Sequence, residues 1–272
     1  MRLLVLPLAL IAACNSDDNG NGGNDGNSGG DSANQGGDSG GGDYPPPGDF
    51  DSSPIAATDL CARLAAVRCD AEQICCTDSA TKYADAASCK TTETANCKND
   101  REPIAVDSRT GYNATTAGTK LGELYALAAV CDPSAGTWAF SDDGFFAVLD
   151  GTIASGGDCT PTEILPNLDA AALLACDSGN VCAMTVVVGL PLVVSGVCAA
   201  PSASGGACFT DLECDTDLWC DPPNKFLSGG GTCADREVNG TSCADGAECL
   251  TLTCTGSTCA DATINDAYCL NN

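Results

Sequence analysis

The chain has 272 residues, a formal net charge of −26, no histidine, 21 cysteines and only 5% aromatic residues. So few aromatics disfavour a large hydrophobic core, and so much negative charge disfavours nucleic acid and anionic headgroups as partners. Without histidine, the commonest general base and the usual partner of a nucleophilic serine are missing.

Met1-Arg2 is a minimal positive start, Leu3 to Ile11 is apolar, and Ala12-Ala13 precede Cys14. This is the layout of a secretory signal over 1–13, too short to span a bilayer. Ile11-Ala12-Ala13-Cys14 resembles the bacterial lipobox, which implies cleavage before Cys14 and acylation of that cysteine. Several acyl chains anchor firmly where one would not. Asn15 at the next position implies, by the same resemblance, sorting to the outer membrane.

Residues 14–53 hold the anchor and a tether of Gly, Asn, Asp and Ser ending in Tyr44-Pro45-Pro46-Pro47. A segment with so little apolar surface is expected to be disordered. As a Gly-rich coil of about 38 residues, its mean reach is roughly 35 Å. Gly37-Asp38-Ser39-Gly40-Gly41 fits the pattern around a catalytic serine, but it lies in low-complexity sequence with no histidine to serve it.

Setting Cys14 aside leaves twenty cysteines, an even number in an exported chain, which predicts ten disulfides. The expected fold class is a small disulfide-rich, multi-module protein: an α-helical Cys-rich domain followed by Cys-rich repeats of short strands and loops. Acidity is concentrated in the second part, where residues 121–272 carry twenty acids against Lys225 and Arg236 alone.

The helical domain is expected over 54–135. Thr58 can cap a first helix bearing Leu60, Leu64 and Val67, with Cys61 and Cys69 alongside. Cys75 and Cys76 follow. Thr77 to Lys98 reads as a weaker helical stretch with Cys89 and Cys97. Ala114 to Val130 reads as a longer helix, ended by Cys131-Asp132-Pro133. In the connector 136–155, Trp138-Ala139-Phe140 and Phe145 to Leu149 are expected as short strands.

From Gly156 a four-cysteine pattern recurs three times, over 156–200, 201–235 and 236–262. Its cysteines are Cys159, Cys176, Cys182 and Cys198, then Cys208, Cys214, Cys220 and Cys233, then Cys243, Cys249, Cys254 and Cys259. Unit one is expected to contain a helical insertion at Leu168 to Ala175. Residues 184–194 are expected to form a β-hairpin turning near Gly189-Leu190-Pro191, whose outer face either packs against a neighbouring unit or, if exposed, offers a protein partner an edge or an apolar patch. First-to-third and second-to-fourth pairing is expected within each unit. Seven cysteines in the helical domain leave one unpaired there, so Cys269, in the tail 263–272, is expected to return to that domain, with Cys131 as its partner.

The lipobox, the Cys61 to Cys97 spacing, the helix ending at Cys131 and the Gly-x-Cys…Cys-Ala units resemble the Cys-rich exported lipoproteins of myxobacteria and related bacteria. The resemblance covers most of the mature chain and implies a cell-envelope lipoprotein, lipid-anchored and periplasmic or surface-exposed. It carries no catalytic residue over. In style the units also resemble EGF-like modules, without the full six-cysteine order.

No cofactor is expected, and calcium is the metal best matched by the residues. Asp211, Glu213, Asp215 and Asp217 alternate along one loop, but Thr216 and Pro222 stand where an EF-hand needs Gly and Glu. Thiolate zinc is disfavoured by the absence of C-x-x-C and of histidine. The expected role is structural or protein-binding rather than enzymatic. A calcium- or ligand-binding module is the alternative, and a hydrolase using a pair such as Asp142 and Asp143 is the remote one.

Overall fold

A computed structural model of the chain describes residues 52–76, 83–136, 138, 144–162, 169–187, 193–221 and 230–269. The helical domain opens with α1, Ala57–Cys75, and α2, Ala86–Asp100. Cysteines stand eight residues apart on each helix, at 61 and 69 and at 89 and 97. Eight residues are about 12 Å of helix, so an antiparallel pair matches first to last. The bonds are Cys61–Cys97 and Cys69–Cys89. They hold α2 in place where apolar burial does not, since Cys89 is its sole buried residue among those described.

Two expectations about helix starts are corrected. The N-cap of α1 is Ala56, with no side-chain cap, so Thr58 lies inside the helix. The second helix begins at Ala86, where Asp85 accepts the Ser88 N–H at 2.7 Å. Asp85 can cap because its short carboxylate reaches back over the first turn. A short α3, Glu102–Val106, follows. Next comes α4, Ala114–Ala129, capped by Asn113 through the N–H groups of Thr115 and Thr116.

The core lies between α1 and α4. Leu60, Leu64, Val67, Leu121, Leu124 and Tyr125 fill it, and Trp138, Phe145 and Val148 close it. The expected strand at 145–149 is instead a 3-10 turn, Phe146–Val148. Residues three apart share a face in a 3-10 turn but lie on opposite faces of a strand. Phe145 and Val148 are both buried, at 2% and 1% exposure, so the core selects the turn. Of 138–140 only Trp138 is described, and it is buried.

Each repeat is built on a strand pair stapled to the segment before it, with a third short strand in unit two. Unit one has the short helix α5, Ala170–Leu173, and strands β1, Val181–Val187, and β2, Val193–Ala199. Unit two has β3, Ala207–Cys208, β4, Leu218–Asp221, and β5, Gly231–Asp235, in the order β3-β5-β4. Unit three has β6, Cys254–Thr255, and β7, Thr258–Cys259. The hairpin of unit one is longer than expected, and its tip, 188–192, lies outside the described residues. The expected helical insertion is reduced to the single turn of α5, with 163–168 also outside.

The pairing rule follows from the strands. The third and fourth cysteines of each unit stand directly opposite each other: Cys182 and Cys198, Cys220 and Cys233, Cys254 and Cys259. They do not bond to each other. Each reaches the loop beneath, giving Cys159–Cys182 and Cys176–Cys198, Cys208–Cys220 and Cys214–Cys233, Cys243–Cys254 and Cys249–Cys259. The order is first to third and second to fourth in all three.

Each unit also repeats one backbone frame. Ile153, Ser202 and Glu237 donate their N–H groups to the carbonyl before the second cysteine, at 2.9, 2.8 and 2.6 Å. Three residues later Gly156, Gly205 and Gly240 take φ of 82, 80 and 90° and donate to the carbonyl of the fourth cysteine. Left-handed backbone is what calls for glycine there. The frame thus begins at 153, 202 and 237, three residues before the expected start of unit one and one residue inside the expected starts of units two and three. Each fourth cysteine and the next first one stand ten positions apart, at 198 and 208 and at 233 and 243, so the joints are fixed in length while the loops vary.

The tail returns to the start. Helix α6, Ile264–Tyr268, packs against α1 and the 3-10 turn Pro133–Gly136. The Tyr268 hydroxyl donates to the Asp132 carbonyl at 2.7 Å, and Cys269 bonds Cys76. Cys131 is taken by Cys75, which corrects the expected Cys131–Cys269 bond. Adjacent residues on a helix point about 100° apart. Cys75, the last residue of α1, faces the end of α4, while Cys76, the C-cap, faces the tail.

Candidate interaction surface and acidic loops

The hairpin of unit one has two faces. Cys182, Met184, Val194 and Cys198 turn inward onto Cys159, Leu173 and Phe209. The outward pairs are Val181 with Ala199, Ala183 with Val197, Thr185 with Ser195, and Val187 with Val193. This face carries no charge in a strongly acidic chain. Val187, Val193 and Val197 are about half exposed, at 58%, 51% and 48%. One edge of the hairpin is covered, since Cys159 and Cys198 exchange backbone hydrogen bonds with Gly196 and Gly157 at 3.1 and 2.9 Å.

The four acids proposed for calcium do not converge. Asp211 and Glu213 lie on a 3-10 turn, Asp211–Glu213, and bond backbone. Asp211 accepts the Cys220 N–H at 2.8 Å, and Glu213 accepts the Phe209 N–H at 3.1 Å. Asp215 and Asp217 are exposed. Burial pushes the Asp211 carboxyl up, opposed by the Cys220 N–H and the charge of Arg236. Among the described residues, the groups close enough to share one ion are Cys159, Cys176 and Cys198, Cys208, Cys214 and Cys233, and Cys243, Cys249 and Cys259. All nine sulfurs are in disulfides, so none is a thiolate ligand in the oxidised chain.

A residue cluster not expected from the sequence joins the helical domain to unit one. The Arg109 guanidinium bonds Asp107 at 2.7 and 3.0 Å and Asp169 at 3.0 and 3.1 Å. Asp169 also caps α5 and accepts from Thr162. Burial alone would push the Asp169 carboxyl up, but the bonds from Arg109 and Thr162 outweigh it and hold it below the ordinary range. The Arg109 hydrogen bond likewise lowers Asp107. Sequence offered no signal for a pair sixty positions apart. For Glu213 a signal was present: units two and three share Cys-x-x-x-x-Glu-Cys, at 208–214 and 243–249, and Glu248 accepts the Ala244 N–H as Glu213 accepts that of Phe209.

Cys14, the Ser39 motif, Asp142 and Asp143 lie outside the described residues. Among the described residues no helix is long and apolar enough to cross a membrane. No protein-family model matches the chain, and no curated protein or solved structure matches it either. Ten disulfides in the described residues place the folded chain in an oxidising compartment.

Proposed function

We propose that the chain is a lipid-anchored protein of the cell envelope, of the Cys-rich exported type it resembles. Its disulfide-stapled body would then be held off the outer membrane by the tether and serve a structural or protein-binding role. One observation carries this reading. Of 21 cysteines, twenty pair off within the body, and the one left over is Cys14 at the lipobox.

The docking surface in this reading is the uncharged outer face of β1 and β2. Its partner is a protein with an apolar patch, rimmed by basic residues that complement the acidic body around it. The test has two arms. Cys14→Ala should release the body from membranes, and the native mass should show a start at Cys14 plus acyl chains. The anchored wild type should capture an envelope partner that the Val187→Lys, Val193→Lys double variant does not, and equal capture by both would contradict the docking face. Membrane retention of Cys14→Ala, or a mature chain without acyl mass, would contradict the anchor.

A further inference from the structure

Glu213 is 4% exposed, and it lies in the joint between units one and two. Its turn packs against β1. Around it Met184 and Phe209 are buried, and Val186 and Leu212 are partly so. The Phe209 N–H donates to Oε2 at 3.1 Å. The Met184 N–H, on the free edge of β1, bears on the same carboxylate, although Oε1 makes no hydrogen bond of ordinary geometry. A carboxylate so placed has lost its water and has only backbone dipoles in exchange.

Among the described residues the charged surroundings are sparse. Strands β1 and β2 bear no ionisable side chain. On the turn itself Asp211 is held by the Cys220 N–H, and Arg236 and Asp245 act on Asp211. Asp215, Asp217 and Asp221 are exposed, and at the head of α5 Asp169 is engaged by Arg109.

Unit three is an internal comparison. Glu248 occupies the matching position and accepts the Ala244 N–H at 3.2 Å. Ala244 and Ala247 replace Phe209 and Leu212 there, so no apolar lid covers it, and Glu248 is only partly buried. The second joint is polar instead, with Arg236 bonded to the Ala247 carbonyl.

We propose that the joint between units one and two is a proton-operated latch, in which neutral Glu213 seats the second unit on the hairpin and ionised Glu213 loosens it. The neutral acid loses less by burial than the carboxylate does; the carboxylate is better served by solvent, and reaches it by lifting the turn from β1. Burial pushes this carboxyl up to about 7 from the ordinary 4.5, with the Phe209 and Met184 N–H groups in opposition. The raised value means that the seated state holds its proton longer than an open one. Seating is therefore strongest below the ordinary carboxylate range and weakens as pH rises through 7.

The test is amide hydrogen exchange on the full oxidised chain at pH 5 and pH 8, corrected for intrinsic rates. Protection of Met184 and Phe209 should fall about tenfold or more across that range, because the seated joint binds the Glu213 proton more tightly than an open one by at least that factor. In Glu213→Gln it should be flat, and in Glu248→Gln it should fall as in wild type. Equal wild-type protection at both pH values, or a persisting fall in Glu213→Gln, would overturn the latch. Should Glu213→Gln disturb the joint, carbon NMR titration of Glu213 in the wild type decides: a midpoint in the ordinary carboxylate range also overturns it.

Discussion

Cys76 and Cys269, 193 positions apart in sequence, are bonded with their Cα atoms 5.5 Å apart. The bond joins the end of α1 to the end of the chain's described part, so the three units run from the helical domain at Arg109 and come back to it at Tyr268. Two neighbouring contacts serve the same closure. Tyr268 bonds Asp132, and a Cβ at Gly136 would come 2.8 Å from the Ala267 backbone.

Removing the closure should therefore cost stability. A loop of this length is worth about 5 kcal/mol in the chain-entropy account, but the other bonds already shorten it, so roughly 3 kcal/mol is expected for Cys76→Ser with Cys269→Ser. Denaturant unfolding without reductant measures it. An unchanged midpoint would mean that the tail adds nothing.

The Arg109 clamp predicts a pH effect of opposite sign to that of the latch. Asp107 and Asp169 are both held below the ordinary carboxylate value of 3.8. Their contribution is complete above that value and is lost as pH falls through their folded values. Arg109→Ala should cost about 1–2 kcal/mol at pH 7, allowing for solvent screening at a site one-third exposed, and progressively less as pH falls below the ordinary carboxylate value. Lysine should not restore it, because the guanidinium fork reaches both acids at once. Thermal melts of the two variants across pH check this.

Gly196 sits over the Cys159–Cys182 disulfide of unit one. An added Cβ would lie 2.6 Å from the Cys182 Sγ and 3.1 Å from the Cys159 Sγ. Gly196→Ala should destabilise the chain by about 1–3 kcal/mol through overpacking, with reduced yield of the Cys159–Cys182 bond in peptide maps. Normal stability and a full bond would contradict the packing described.

The divergence of Asp211, Glu213, Asp215 and Asp217 predicts that calcium and EDTA leave the melting temperature unmoved. A rise of several degrees with calcium would mean that these acids reorganise around an ion.

The cysteine pattern made much of this fold legible. Even count, repeated spacing and closing Cys-Ala pointed to stapled units, and the apolar period of Leu60, Leu64 and Val67 to α1. The partner of Cys269 was not legible, because Cys75 and Cys76 are neighbours whose directions only the end of α1 decides. Phe145 to Leu149 misled for a related reason: its apolar run fits a strand or a turn, and the one-sided core chose the turn. At the candidate sites, alternating acids suggested an ion, whereas Glu213 is buried because Phe209 and Leu212 bring its turn against β1. That burial is tertiary, and no local spacing announces it.

A closed disulfide framework with Cys14 outside it is the centre of this picture. Intact mass and peptide mapping of the unreduced protein isolated from its native source test it most directly. The expected mass lies about 20 Da below that of the reduced chain, two hydrogens for each of ten bonds. Linked peptides should join Cys75 to Cys131 and Cys76 to Cys269. Free thiols among these cysteines, or Cys269 linked to Cys131, would contradict it.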